Sequence, residues 1–377
     1  MTQDYPPAVG GIQRYAHALG LELCSRLNSV VVLAPDQPGA AEFDATVPHP
    51  VVRMETSSDW MRLRVLPTLL RVIEAHGVNT IVTGHWYVAA AALWARRMGR
   101  VDRVYLAAHG QELLKDPVPG PLRAAYRAHR ASVVRRVDGC FPVSRYTGKL
   151  LADLGVAPER IHIVPNGTDP ERFDNETTRE AATTLRARYD LGEGPILSTV
   201  ARLVPRKGID TVIEALPDLC AAHDGLMYCV AGGGPDQGRL EALAQRLGVA
   251  NRVRFLGRIP DDDVGALYQV CSAFVMPARQ EGASVEGFGL VFREAGACGA
   301  PVVGSYSGGI PDAIQNGDTG LLVPPGDSDE LANAVSRILN SPGLASQMGA
   351  RGREVARSVG TWQHAADRMA AVLEACA

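Results

Sequence analysis

Two α/β units in tandem, each a parallel sheet wrapped by helices, are the architecture this sequence predicts. Three observations carry that expectation. Short β-branched runs alternate with longer amphipathic stretches along the whole chain, the rhythm of strand–helix–strand crossovers. The length of 377 residues suits two domains of ordinary size, each able to bury its own core. A polar segment, residues 169–184, interrupts the alternation near the middle, just after Pro165-Asn166-Gly167, and reads as a linker.

In the first half the strand candidates are residues 30–34, 80–83, 104–108, 139–142 and 161–164, with helical patterns at 11–27 and 61–76. The second half gives strands at 195–200, 226–231, 253–256, 273–276, 301–304 and 320–323, and helices at 208–223, 235–247 and 291–299. The outcome is two Rossmann-like sheets. One local feature is out of place: the loop at residues 4–11 belongs after a buried first strand, yet only Met1-Thr2-Gln3 precedes it. Either that strand is missing or the translation start is placed too late. The second reading is the expectation, with an apolar segment encoded just upstream.

Composition narrows the class. The chain is 46% hydrophobic and 21% charged, with a net charge of −3 that favours neither nucleic acid nor an acidic substrate. Residues 1–170 carry 19 Lys+Arg against 15 Asp+Glu, and residues 171–377 carry 19 against 26, so the halves differ electrostatically. The seven cysteines, Cys24, Cys140, Cys220, Cys229, Cys271, Cys298 and Cys376, form no C-x-x-C pair, which argues against a zinc or redox site and for a reducing, cytoplasmic setting. No apolar run approaches the roughly 18 residues of a membrane span, and the N-terminus has no signal-peptide pattern.

Several residues have chemical character. Gly10-Gly11 opens a helix where backbone N–H groups point at an anion; a plain tight turn is the competing reading. Gly232-Gly233-Gly234-Pro235 follows a strand in a similar way, but Gln237 stands where a dinucleotide fingerprint needs its third glycine. Arg202 and Lys207 lie past a strand end, where two cations can neutralise a diphosphate; solvated surface charge is the alternative, and it suits Arg206 better. Glu286 and Glu294 bracket a glycine-rich turn and the helix it feeds, and carboxylates accept hydrogen bonds from sugar or ribose hydroxyls. His109 closes a strand before Gly110-Gln111-Glu112, either at a cleft or as a satisfied structural histidine. Asp261-Asp262-Asp263 reads as a helix N-cap with dipole-favourable charges. Arg123, Arg127, Arg130, Arg135 and Arg136 form a basic segment, either a contact for anionic lipid or a solvated face.

Taken together, Pro6-Pro7-x-x-Gly10-Gly11, Ala108-His109-Gly110, Pro165-Asn166-Gly167, Arg202 with Lys207-Gly208, Gly232 to Pro235, Glu286-x7-Glu294 and Ser307-Gly308-Gly309-Ile310-Pro311-Asp312 resemble the family-4 retaining glycosyltransferases of the GT-B fold, over essentially the whole chain. The first two motifs look most like the phosphatidylinositol mannosyltransferase branch. The resemblance implies an N-terminal acceptor-side domain at residues 1–170, a nucleotide-sugar domain at 171–360, a final helix at 361–377 returning to the first domain, and a cleft between the two. It implies that Gly10 and Gly11 lie near the donor phosphate and acceptor, and that His109 contacts the transferred sugar. It places Arg202 and Lys207 on the leaving diphosphate in place of a metal, Glu286 on donor hydroxyls, and Glu294 on the ribose. Phe288, Gly289 and Leu290 supply backbone donors, and Gly233 joins the donor site. The implied reaction moves a hexose, mannose from GDP-mannose being one case, from a GDP- or UDP-linked donor to a lipid-linked or small-molecule acceptor. Configuration is retained, no cofactor is needed, and the inner membrane face is a possible peripheral contact. An epimerase on the same two-sheet frame and a non-catalytic nucleotide-sugar-binding protein are the other readings.

Overall fold

The computed structural model describes the backbone of residues 1–55 and 58–375, and the side chains of all of these but 58–64. Cys376 therefore lies outside the described residues, as do the side chains that open the helix expected at 61–76. The chain divides into two compact units, the first formed by Met1–Asn166 with Trp362–Ala377 and the second by Gly167–Thr361.

The first unit contains β1 (Val32–Pro35), β2 (Val51–Met54), β3 (Thr80–Thr83), β4 (Arg103–Ala108) and β5 (Gly139–Pro142). They form two parallel sheets, β1-β2 and β3-β4-β5. The helix Trp86–Arg97 covers the second, burying Val88, Ala89, Ala92 and Ala95 against Val104 and Leu106. The strand at residues 51–54 is not among those expected from the sequence; its Arg53 pairs with Asp44 at 2.7 Å. Residues 161–164, expected as a strand, are not one. They run beside β5, with His162 and Val164 donating to the carbonyls of Cys140 and Pro142, and Pro165 then ends the run.

The N-terminal residues lie between the two sheets of this unit. The Met1 ammonium donates to Val82 O at 2.8 Å, Gly84 N donates to Met1 O, and Thr2 N donates to Leu33 O, so residues 1–2 pair with both β1 and β3. Below them is a cavity of about 620 Å³, lined in part by Leu19, Val31, Val32, Val78, Val82 and Met369. The helix Trp362–Ala375 packs on the helix Gly11–Cys24: Trp362 meets the Tyr15 ring edge-on at 6.0 Å, and Arg26 Nε donates to Asp367 at 2.6 Å.

The second unit holds β6 (Ile196–Val200), β7 (Met227–Ala231), β8 (Val253–Gly257), β9 (Ala273–Val275), β10 (Val302–Ser305) and β11 (Gly320–Val323), all parallel, in the order β11-β10-β9-β6-β7-β8. All six were expected, and three begin a residue late, at Ile196, Met227 and Val302, two of them because Pro195 and Pro301 have no N–H for the ladder. Their carbonyls still accept from Met227 and Phe274. Apolar clusters cover both faces, one around Ile213, Leu216 and Val335, the other around Tyr268, Phe274 and Phe292.

The segment 169–184, expected as a linker, is mostly helical. It forms the helices Pro170–Phe173 and Glu176–Arg188, which pack on the helix Asp261–Val270. Its polar residues are capping residues: Asp169 accepts from Glu171 N, and Asn175 and Thr178 form a reciprocal capping box. Phe173 and Leu185 supply the buried face.

Candidate functional site

The strand order of the second unit reverses direction between β6 and β9, and open parallel sheets bind ligands outside the carboxyl ends of strands at such a point. Two loops leave those ends. The first, Ala201 to Gly208, closes with the short turn Pro205–Lys207 and Gly208 at φ 71°. A Cβ on Gly208 would stand 2.2 Å from Pro277 O, so only glycine lets this loop touch the one that follows β9. That contact sets Lys207 beside Glu286: Lys207 Nζ donates to Glu286 Oε2 at 2.6 Å, and Arg206 Nη1 donates to the same oxygen at 2.5 Å.

A third loop fixes Glu286 from behind. Gly309 N donates to Glu286 O at 2.9 Å, and Gly308, at φ 54°, has room for no side chain because Glu286 O lies 2.3 Å from where its Cβ would be. The Ser307-Gly308-Gly309 motif thus positions the glutamate. Burial would raise the Glu286 pKa, but Lys207 and Arg206 outweigh it and hold the group down to about 2. Lys207 is buried and its pKa is lowered, mainly by that burial, with Glu286 opposing.

The other expected donor residues fall around this pair. Arg202 is exposed and, among the described residues, makes no hydrogen bond or ion pair; the structure does not bring it onto Glu286. Gly233 O accepts from Leu203 N at 3.1 Å, which ties the Gly232–Pro235 turn to the Arg202 loop. Phe288 is buried under the Arg293 guanidinium at 5.1 Å. Gly289 caps the helix Leu290–Ala297, whose first-turn N–H groups have no acceptor within the helix. Glu294, one turn in, is 4% exposed and accepts from Tyr268 Oη at 3.2 Å, so its carboxylate is held in the helix layer. Arg206, which the sequence suggested was plain surface charge, is the residue that reading missed.

In the first unit, Gly10 precedes the helix Gly11–Cys24 with extended backbone, and both glycines are exposed. His109 follows β4 and is 9% exposed; its Nε2 is buried without a hydrogen-bond partner. Its ring stands edge-on to Tyr15, centroids 4.7 Å apart. Burial pushes its pKa down to about 4, with Glu112 opposing. Glu112 instead accepts from His109 N and Gly110 N, holding the turn. Beside it, His85 Nε2 lies 2.6 Å from Asp4 Oδ2, a pair absent from the expected set. Burial opposes ionisation of Asp4, but the hydrogen bond and charge of His85 prevail and lower its pKa. The available signal was positional, since His85 follows β3 as His109 follows β4.

Two other features resolve structurally. Asp261–Asp263 lie in the first turn of their helix, after Pro260, and make no cap bond. Asp261 pairs with Arg172, and Asp263 pairs with Arg188 and Tyr189. In the basic segment, Arg127 and buried Arg130 both pair with Asp116, leaving Arg123 exposed at the start of the helix Leu122–Val134.

A six-stranded Rossmann-like sheet carrying a cation–carboxylate cluster at its switch point, joined in one chain to a second parallel unit, is the frame of GT-B glycosyltransferases. The solved structures agree on the fold: Anabaena Alr3699/HepE in complex with UDP superposes with TM-score 0.82 at 19% identity over 99% of each chain. Sucrose-phosphate synthase from Thermosynechococcus elongatus gives 0.80 at 24% identity over 100% of this chain and 98% of that one. Residues 9–172 match the family described as Glycosyltransferase Family 4, and residues 182–355 match Glycosyl transferases group 1. A GDP-mannose-dependent α-(1-6)-phosphatidylinositol monomannoside mannosyltransferase of Mycolicibacterium smegmatis is 36% identical over 99% of this chain and 97% of its own. A GDP-mannose-dependent monoacylated α-(1-6)-phosphatidylinositol monomannoside mannosyltransferase of Corynebacterium glutamicum is 30% identical over 99% and 97%. The chain belongs to glycosyltransferase family 4, and it is a glycosyltransferase.

Proposed function

We propose that the chain is a retaining, metal-independent mannosyltransferase using GDP-mannose and a phosphatidylinositol-type glycolipid acceptor. The observation that carries the donor half is the Lys207–Glu286 pair at the switch point, with Lys207 buried and Glu286 partly so. A diphosphate leaving group gains negative charge as the glycosidic bond breaks, and a preorganised cation in a site of low polarity stabilises that charge most. Lys207 supplies it, with exposed Arg202 adding a second cation. Glu286, ionised at neutral pH, accepts from sugar hydroxyls, and Glu294 is assigned to the ribose. The acceptor oxygen forms the new bond to the anomeric carbon on the face the phosphate leaves, and its proton passes to that phosphate. The names of the two mannosyltransferase relatives support the choice of base, sugar and acceptor.

Among the described residues no helix is long and apolar enough to cross a membrane. We assign the enzyme to the cytoplasmic membrane face, with exposed Leu122 and Arg123 as a peripheral contact for anionic lipid. A thermal-shift panel of GDP, UDP, ADP and their sugar conjugates tests the donor, because a ligand that binds only the folded state raises the melting temperature. A shift confined to GDP and GDP-mannose is expected. A shift with UDP-sugars alone would replace the donor, and none with any nucleotide would overturn the reading.

A further inference from the structure

The cluster around Glu286 holds one carboxylate and two cations, and both cations donate to the same oxygen. Among the described residues no hydrogen bond reaches Glu286 Oε1, so one oxygen is fully engaged and the other is available. Lys207 and Glu286 have side chains 10% and 16% exposed, Arg206 23%. The backbone of Arg206 is pinned as well: its carbonyl accepts from Arg279 N at 2.8 Å, and the Arg279 guanidinium is held by Asp210 through contacts of 2.7 and 2.9 Å.

This arrangement bears on how Lys207 can serve a phosphate. If Lys207 were the only partner of Glu286, the two would form a closed, neutral pair. Moving the ammonium to a diphosphate would then strand a largely desolvated carboxylate, and breaking such a pair on one side is unfavourable. Arg206 changes the balance. Its guanidinium stays charged at any relevant pH and presents several N–H donors from a rigid plane, so it keeps Glu286 ionised and oriented after Lys207 has left.

Resting on the donor reading above, we infer that Arg206 is a positioning residue that frees Lys207 for the diphosphate by holding Glu286 in its place. Arg206 touches neither phosphate nor sugar in this role; it acts through the glutamate. Glu286 Oε1 remains open to a donor hydroxyl while Oε2 stays on Arg206.

The experiment is calorimetric titration of GDP into wild type, Arg206→Met, Arg206→Lys and the double variant Arg206→Met/Glu286→Gln, with melting temperatures recorded for each. Arg206→Met is expected to weaken GDP at least tenfold, because Lys207 is then locked on Glu286. Arg206→Lys retains most of the affinity. Adding Glu286→Gln to Arg206→Met restores GDP binding to within about threefold of wild type, because no buried charge holds Lys207, yet leaves mannose transfer from GDP-mannose impaired. A purely structural role predicts no such recovery. GDP affinity unchanged in Arg206→Met, or lost and not restored in the double variant, overturns the inference while the donor reading stands. Absence of nucleotide binding by the wild-type chain overturns both together.

Discussion

The candidate site groups of the two units meet burial in opposite ways. In the second, the site groups are charged and compensated: Lys207 and Arg206 share Glu286, and three loops converge to keep them together. In the first, they are neutral or singly paired: His109 is buried with its pKa pushed down to about 4 and an unpartnered Nε2, and the Tyr15 hydroxyl is equally without a partner. Desolvation explains the difference. A buried charge persists only with an opposite charge beside it, whereas a buried imidazole can shed its proton and remain. The comparison separates a cluster of compensated charge from a set of buried neutral groups.

The largest effect expected from breaking the contrast is on turnover. Lys207→Ala should lower transfer more than 100-fold, about 3 kcal/mol of transition-state stabilisation, in a steady-state assay with GDP-mannose. Near-wild-type turnover would remove Lys207 from the donor site. His109→Ala should cost less, on the order of tenfold, because no charge is lost.

The contrast also appears in acid stability. The His109 pKa is depressed from 6.5 to about 4, so the unfolded chain binds the extra proton and stability falls as pH drops through that window, by about 3 kcal/mol at most. The Glu286 pKa is depressed from 4.5 to about 2, so its contribution, of similar order, is present above 4.5 and is lost between there and 2. Urea unfolding at a series of pH values should therefore show His109→Gln flattening the profile between 6.5 and 4, and Glu286→Gln flattening it only below 4.5. A shared window would contradict the separate environments.

Smaller effects sharpen the geometry. Gly208→Ala should destabilise by about 2 kcal/mol in thermal unfolding, since φ 71° and the Pro277 carbonyl both oppose a Cβ. Tyr15→Phe should change stability by less than about 0.5 kcal/mol, because the hydroxyl it deletes has no partner to lose.

Most of this was legible along the chain. The strands of the second unit stood out because β7, β9 and β10 are buried on both faces, the pattern parallel sheets impose, while β8 at the edge has only Val253 buried and carries Arg254. Residues 169–184 misled because helix caps and linkers draw on the same polar residues, and only the buried faces of Phe173 and Leu185 tell them apart. Lys207 and Glu286 were singled out by type and position, and the structure pairs them. Arg206 was not, since an arginine beside a lysine looks like surface charge until two loops 80 residues apart are brought together by Gly208 and Pro277. The Asp4–His85 pair escaped for the same reason, its members lying 81 residues apart.

The most direct test of the anion site is the affinity of GDP, measured by calorimetry, for wild type, Lys207→Ala and His109→Ala. Lys207→Ala is expected to lose GDP binding by about 100-fold, while His109→Ala, altered in the other unit, binds GDP as wild type does. Equal losses in the two variants, or none in Lys207→Ala, would contradict it.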